Sequence, residues 1–170
     1  MKSYTIEDTF EGLLSVVGVK YTTARDVAEK TVDRALARLG RPAVASRSAR
    51  TPVAGGDFES FADLLRVVDK PHLAYNYGTL FREVLAIPDA CPLGDTTTVT
   101  ASEVRYAARE EMALDLASVV LRRTELGSAG HPGRGALERA AAILGEELSW
   151  TEDRKRAELE AVEGFYRARS

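Results

Sequence analysis

Only one segment of this chain has the β-branched character of a strand. Residues 11–21, EGLLSVVGVKY, place Leu13, Leu14, Val16 and Val17 ahead of Gly18 and read as one short buried strand ending at or just after that glycine. A strand alone leaves its backbone donors and acceptors unpaired. Either residues 1–17 make a small hairpin, or the strand belongs to a sheet that this chain does not contain.

A helix follows at once. Ala24, Val27, Ala28, Thr31, Ala35 and Leu39 recur at helical spacing, Thr22 or Thr23 is placed to cap the start, and Gly40 to end it. Next comes RPAVASRSARTPVAGGD, rich in Pro, Ala, Ser, Arg and Gly, which reads as a surface linker and is the best domain boundary in the chain. The expected division is 1–41, a linker at 42–57, and a helical domain at 58–170.

Beyond the linker the pattern is helical almost throughout. FESFADLLRVVD predicts one helix stopped by Pro71, and PHLAYNYGTLFREVLAI a second, with Gly78 allowing a close helix contact or a break and Pro88 beyond its end. Thr100 and Glu103 have capping-box spacing. They launch a stripe through Val104, Ala108, Met112, Leu116 and Val120, with Leu114, Ala117 and Leu121 beside it, so this segment is a central helix or two helices bent near Met112. GALERAAAILGEELSW packs Leu137, Ala141, Leu144 and Leu148 on one face, and a last helix runs from near Thr151 through Ala157, Ala161 and Phe165. The fold class is therefore mainly α: a bundle of about five helices preceded by a strand–turn–helix piece.

Composition excludes several classes of function. A net charge of −3 and a pI near 5.5 offer no basic field for nucleic acid. The lone Cys91, in DACPLG, excludes an internal disulfide, reads as a small inert apolar residue, and fits a reducing cytoplasm. No apolar run approaches the length of a membrane span, and MKSYTIEDTFEG lacks a signal-peptide core.

The strand–Gly–helix corner is the candidate site. Such a corner leaves backbone amides pointing outward at the positive end of a helix dipole, and Lys20 adds a full charge beside them. Neither phosphate-loop nor dinucleotide-fingerprint spacing is present, and GSAGHPGRG follows a helix, so it reads as an inter-helix loop. His72 and His131 are far apart and lack a second ligand at helical spacing, so no metal site is expected; His131, before Pro132, opens a helix. Glu110 and Glu111 adjoin the buried stripe, with Arg122 and Arg123 about three turns later; Glu111 falls where the stripe is buried and needs an Arg or backbone partner, so a structural ion pair is expected there rather than acid–base catalysis. TEDRKRAELE reads as a solvated helix face.

GLLSVVGVKYTTARDVAEKTVD resembles the closing strand, turn and helix of the flavin domain in FAD-dependent glycerol-3-phosphate dehydrogenases and oxidases. ASEVRYAAREEMALDLASVVLRRTELGSAG resembles the signature of their C-terminal helical domain, and RTPVAGG the stretch between. The resemblance covers nearly all of residues 11–165, in the expected order. It implies that the corner closes over the flavin, making Gly18, Val19, Lys20, Tyr21 and Thr22 cofactor-facing and Lys20 also a substrate contact. Many members have Gly-Gly-Lys where this chain has Gly18-Val19-Lys20.

The family's Gly-rich FAD fingerprint and its substrate-handling His and Arg precede this segment, so no catalytic residue is expected here. The resemblance implies a C-terminal portion of an enzyme that oxidises sn-glycerol 3-phosphate to dihydroxyacetone phosphate, with electrons passing through FAD to quinone, or to oxygen in the oxidase variant. FAD would be held mostly by other parts of that enzyme, and the 170-residue chain alone would bind it weakly or not at all and be inactive. A second reading makes the helical domain a non-catalytic cap, dimerisation or partner-docking module. The resemblance leaves open a homodimer and peripheral contact at the inner face of a membrane; nucleic acid is not an expected partner.

Overall fold

In the computed structural model, which describes residues 4–168, the backbone of the N-terminal strand is paired within the chain. β1 (Thr5–Phe10) and β2 (Leu13–Val17) form an antiparallel hairpin with Thr5 opposite Val17, Ile6 opposite Val16 and Phe10 opposite Leu13. Of the two arrangements left open by the sequence, the hairpin is the one formed. The connecting residues are Glu11 and Gly12, and Gly12 takes the positive φ of +76° that so short a turn needs.

The strand is not buried. Ile6, Leu14 and Val16 are partly covered, whereas Phe10, Leu13 and Val17 stay 67%, 51% and 59% exposed. The physical reason is that a single helix, α1 (Ala24–Arg38), packs on β2, and a two-stranded sheet so covered has only one protected face. α1 buries Val27 and partly buries Thr31 and Ala35, while Ala28 and Leu39 of the expected stripe are exposed. Asp8 of β1 accepts from Arg34 Nε (2.8 Å) and pairs with Arg38; the Arg34 hydrogen bond holds its carboxyl below the usual carboxylate range. Gly40 ends α1 as expected. At φ +62° its amide donates to Ala37 O (3.1 Å) and the Arg41 amide reaches back to Leu36 O (2.9 Å), which satisfies two terminal carbonyls.

The chain divides into two compact units, Met1–Val53 and Ala54–Ser170. The division falls within residues 41–57, which hold no helix or strand and are mostly exposed.

The second unit is helical, in more and shorter pieces than the periodicity suggests. α2 (Phe61–Arg66) starts at Ser60, whose side chain accepts from the Asp63 amide. α3 (Pro71–Tyr77) carries Pro71 in its first turn, where a missing N–H costs nothing. The single helix expected over 71–87 breaks at Gly78, and α4 (Phe81–Ala86) resumes after a 3-10 turn. α5 (Ala101–Glu110) has the expected capping box: Thr100 accepts from the Glu103 amide, and the Glu103 carboxylate from the Thr100 amide.

The segment after α5 is broken at Met112, which has φ +56° and is 77% exposed rather than buried in the stripe. α6 (Leu116–Ser118) then runs into a π-helical turn, Val119–Arg123. α7 (Arg134–Leu148) buries Leu137, Ala141 and Leu144 as expected. α8 (Glu152–Arg167) begins at Thr151. Its buried face is Val162 with Leu159 and Tyr166 beside it, while Ala157 and Ala161 are exposed, because the larger side chains one step along the helix cover more apolar surface.

α5 is the common wall of two cores. Val104 and Ala107 pack with Leu116, Val120, Leu137, Leu144 and Val162, and Tyr106 packs with Leu64, Leu73, Tyr77, Phe81 and Val84. That double duty explains the wide apolar face. Each fully buried leucine contributes about 2 kcal/mol to the hydrophobic stabilisation.

Candidate functional site

The corner between β2 and α1 is built from five exposed residues, Gly18 to Thr22. β2 stops at Val17 and Gly18 turns the chain at φ +84°, a conformation glycine adopts without strain. Lys20 is extended at φ −108°, ψ 150°, and a 3-10 turn, Tyr21–Thr23, leads into α1. Inside the turn the Thr23 amide donates to Lys20 O (3.0 Å), and the Thr23 hydroxyl donates to the same carbonyl (3.3 Å). Thr23 stands at the cap position of α1, but no side chain caps either the 3-10 turn or α1. The amides at the start of this helix therefore lack a side-chain acceptor, and the partial positive charge there faces outward.

Side-chain chemistry at the corner is that of binding rather than proton transfer. Tyr21 is wholly exposed, Val19 is 47% exposed, and Lys20 forms no ion pair among the described residues. The acids of the first turns of α1 are already engaged. Asp26 pairs with Lys30, and Glu29 accepts from Arg25 at 2.8 Å. Arg25 also donates to the Ser48 hydroxyl (3.4 Å), which ties the turn at residues 47–51 to the start of α1. The corner can therefore present amides and an ammonium to an electron-rich or anionic group. Residues 18–22 include no carboxylate and no imidazole.

The remaining candidates are dispersed. His72 Nε2 lies 3.3 Å from Glu103 Oε2. His131 Nδ1 accepts from the Gly133 amide (3.0 Å), which puts its proton on Nε2, facing Glu163 Oε2 at 3.2 Å. No group of metal-ligating side chains exists among the described residues. Cys91 is exposed.

The ion pair expected of Glu111 is not formed. Its Oε2 is enclosed without a hydrogen-bond partner, burial pushes its carboxyl above the usual range, and Arg123 pulls the other way only from a distance. Arg122 turns instead to Ser118 Oγ (3.0 Å) and Asp115 (3.5 Å), both on its own helical segment.

Sequence reasoning missed the cross-helix network of α5 and α7. Arg109 Nε donates to Glu147 Oε2 (2.7 Å) and Arg105 to Glu147 Oε1 (2.8 Å) and Glu146 Oε2 (2.9 Å). The spacing Arg105–Arg109 is one helical turn and was the available signal. No helix among the described residues is long and apolar enough to cross a membrane.

Comparison with known proteins places these features in one family. Residues 46–155 match the family described as the C-terminal domain of alpha-glycerophosphate oxidase. A mitochondrial glycerol-3-phosphate dehydrogenase of Mesocricetus auratus is 29% identical over 96% of this chain and 25% of its own length. A glycerol-3-phosphate dehydrogenase of Mycobacterium leprae is 31% identical over 82% of this chain and 27% of its own length. One from Synechocystis is 25% identical over 86% of this chain and 29% of its own. The chain thus spans about a quarter of the length of the curated relatives it matches. With the family match covering well over half of its residues, the chain belongs to the glycerol-3-phosphate dehydrogenase and alpha-glycerophosphate oxidase family, in the portion that carries that family's C-terminal domain.

Proposed function

We propose that this chain is the C-terminal part of an FAD-dependent glycerol-3-phosphate dehydrogenase. In this reading residues 1–41 complete the flavin domain, 42–57 link, and 58–170 form the helical domain that follows it. The enzyme oxidises sn-glycerol 3-phosphate to dihydroxyacetone phosphate, and its FAD passes the electrons to quinone. Oxygen as acceptor makes the same enzyme an oxidase. The single observation that carries the proposal is the match over 96% of the chain to dehydrogenases about four times its length.

The corner supplies the physical content. Gly18 and Val19 in the turn after β2, and Tyr21 and Thr22 at the helix start, are the residues whose backbone amides would donate to an electron-rich carbonyl of a flavin ring. Donors fixed before the reaction stabilise the negative charge that a flavin gains on reduction. Lys20, exposed and without an ion-pair partner among the described residues, is positioned for the anionic end of the substrate. Val19, in place of a second glycine, restricts the turn to ordinary backbone angles at that residue. The chain's own contribution is to bind and orient; none of its residues is assigned a proton transfer.

The 170-residue chain alone is expected to hold FAD weakly or not at all, since most of the cofactor's contacts lie in other parts of the enzyme. Adding FAD to the chain and desalting it tests this. A colourless, folded protein is expected. Flavin absorbance that survives desalting would contradict the assignment of the cofactor to other polypeptide.

A further inference from the structure

The linker after α1 carries a group of side chains that the proposed function does not use. From Arg34 to Gly56 the sequence has arginines at 34, 38, 41, 47 and 50 and no carboxylate. Arg34 and Arg38 pair with Asp8 of β1. Arg41, Arg47 and Arg50 are exposed and form no ion pair among the described residues. Two exposed serines, Ser46 and Ser48, stand among them with Thr51, in a stretch that holds no helix or strand. An exposed stretch of this kind can be laid out in the groove of a modifying enzyme without unfolding anything else.

Ser48 is the best placed of the three hydroxyls. The Arg50 and Thr51 amides both donate to Arg47 O (2.9 and 3.0 Å), so residues 47–51 close one turn with Ser48 inside it. Ser48 Oγ lies 2.9 Å from Ser46 Oγ and accepts from Arg25 Nη1 of α1 at 3.4 Å. Arg25 is also held by Glu29 (2.8 Å), again through Nη1. The N–H groups on its Nε and Nη2 have no acceptor among the described residues. A neutral hydroxyl at that distance holds a guanidinium weakly. A phosphoryl group on the same oxygen brings a charge of about −1.5 to −2 and further strong acceptor oxygens.

We propose that Ser48 is a phosphorylation site and that its phosphoryl group locks the linker turn onto α1. A serine kinase with an acidic substrate groove, matched to the arginines around Ser48, transfers the terminal phosphoryl group of ATP. The bond from Ser48 Oγ to phosphorus forms as the bond to ADP breaks, and the hydroxyl proton passes to the kinase's base. The phosphoserine then accepts from the open donors of Arg25, while Arg47 and Arg50 of its own turn add positive charge. Charge-assisted bonds of this kind are roughly twice as strong as the neutral one they replace.

Phosphopeptide mass spectrometry of the protein purified from its own cells is expected to find the group on Ser48. Its absence there, or a group on Ser46 or Thr51 instead, overturns the site. The lock is read separately. With phosphoserine encoded at position 48 of the 170-residue chain, 31P NMR is expected to titrate the phosphate with a midpoint roughly half a unit to one unit below its ordinary value of about 6. Arg25→Ala is expected to return the midpoint toward that value. Equal midpoints with and without the Arg25 side chain overturn the lock. Should Arg25→Ala fail to fold, the phosphoserine chain with Arg25 intact decides, since a midpoint at or above about 6 overturns it.

Discussion

Gly55 and Gly78 meet backbone to backbone: a Cβ placed on Gly78 would stand 1.9 Å from the Gly55 carbonyl oxygen, and one on Gly55 would stand 2.3 Å from the Tyr77 oxygen. The same carbonyl of Gly55 accepts the Thr79 amide at 3.0 Å. One hydrogen bond and two missing side chains thus pin the first residues of the helical unit against the break between α3 and α4.

Gly78→Ala is expected to destabilise the chain by about 3 kcal/mol, through backbone strain at φ +54°, ψ −131° together with the steric clash. Urea denaturation of the 170-residue chain measures this. A loss below about 1 kcal/mol would mean that the contact opens at little cost.

Glu103 is fully buried, and its Oε2 gathers the Thr100 amide (2.8 Å), the Thr100 hydroxyl (3.0 Å) and His72 Nε2 (3.3 Å). Glu103→Ala leaves those groups enclosed without an acceptor and is expected to cost about 3 kcal/mol. Glu103→Gln keeps the volume and one acceptor oxygen and should cost less. Equal losses in the two variants, read from denaturation midpoints, would contradict this account of the capping box.

Two glutamates give the stability–pH curve opposite slopes. The hydrogen bond from Arg109, then that from Arg105, holds the Glu147 carboxyl below its ordinary value. Its stabilising effect is therefore full above the unfolded-chain pKa of about 4.3 and lost as pH falls from that value through the lowered folded one. Glu111 is reversed. Burial raises its folded value, so the native state keeps a proton that the unfolded chain has released, and stability falls as pH rises from the ordinary glutamate value toward the raised one. Denaturation midpoints followed across pH should lose the dependence below the ordinary glutamate value in Glu147→Gln and the dependence above it in Glu111→Gln. The reverse pattern would refute both assignments.

Local chemistry was legible in the sequence. Thr100 with Glu103, Gly40 and Pro71 sit where their capping or starting roles require, because each acts on backbone within a few residues of itself. Packing was less so. Met112 fits the apolar stripe by spacing, yet the left-handed residue turns the chain before α6 and sends that side chain outward, a tertiary outcome that spacing cannot carry. The stripe Ala157–Ala161 failed for a related reason, since alanine covers too little surface to dictate which face of α8 is buried. At the corner, the turn at Gly18 and the exposed Lys20 were readable from VVGVKYTT, and so was the hairpin as one of two solutions. What the corner meets was not readable from these residues alone, since spacing specifies outward amides and a charge and leaves their ligand open.

The central claim is that the corner at residues 18–22 meets a flavin and its substrate, and Lys20→Ala in the full-length enzyme that carries this segment tests it most directly. The account predicts a raised KM for glycerol 3-phosphate together with an altered flavin absorbance spectrum. An unchanged KM with an unchanged spectrum would contradict it.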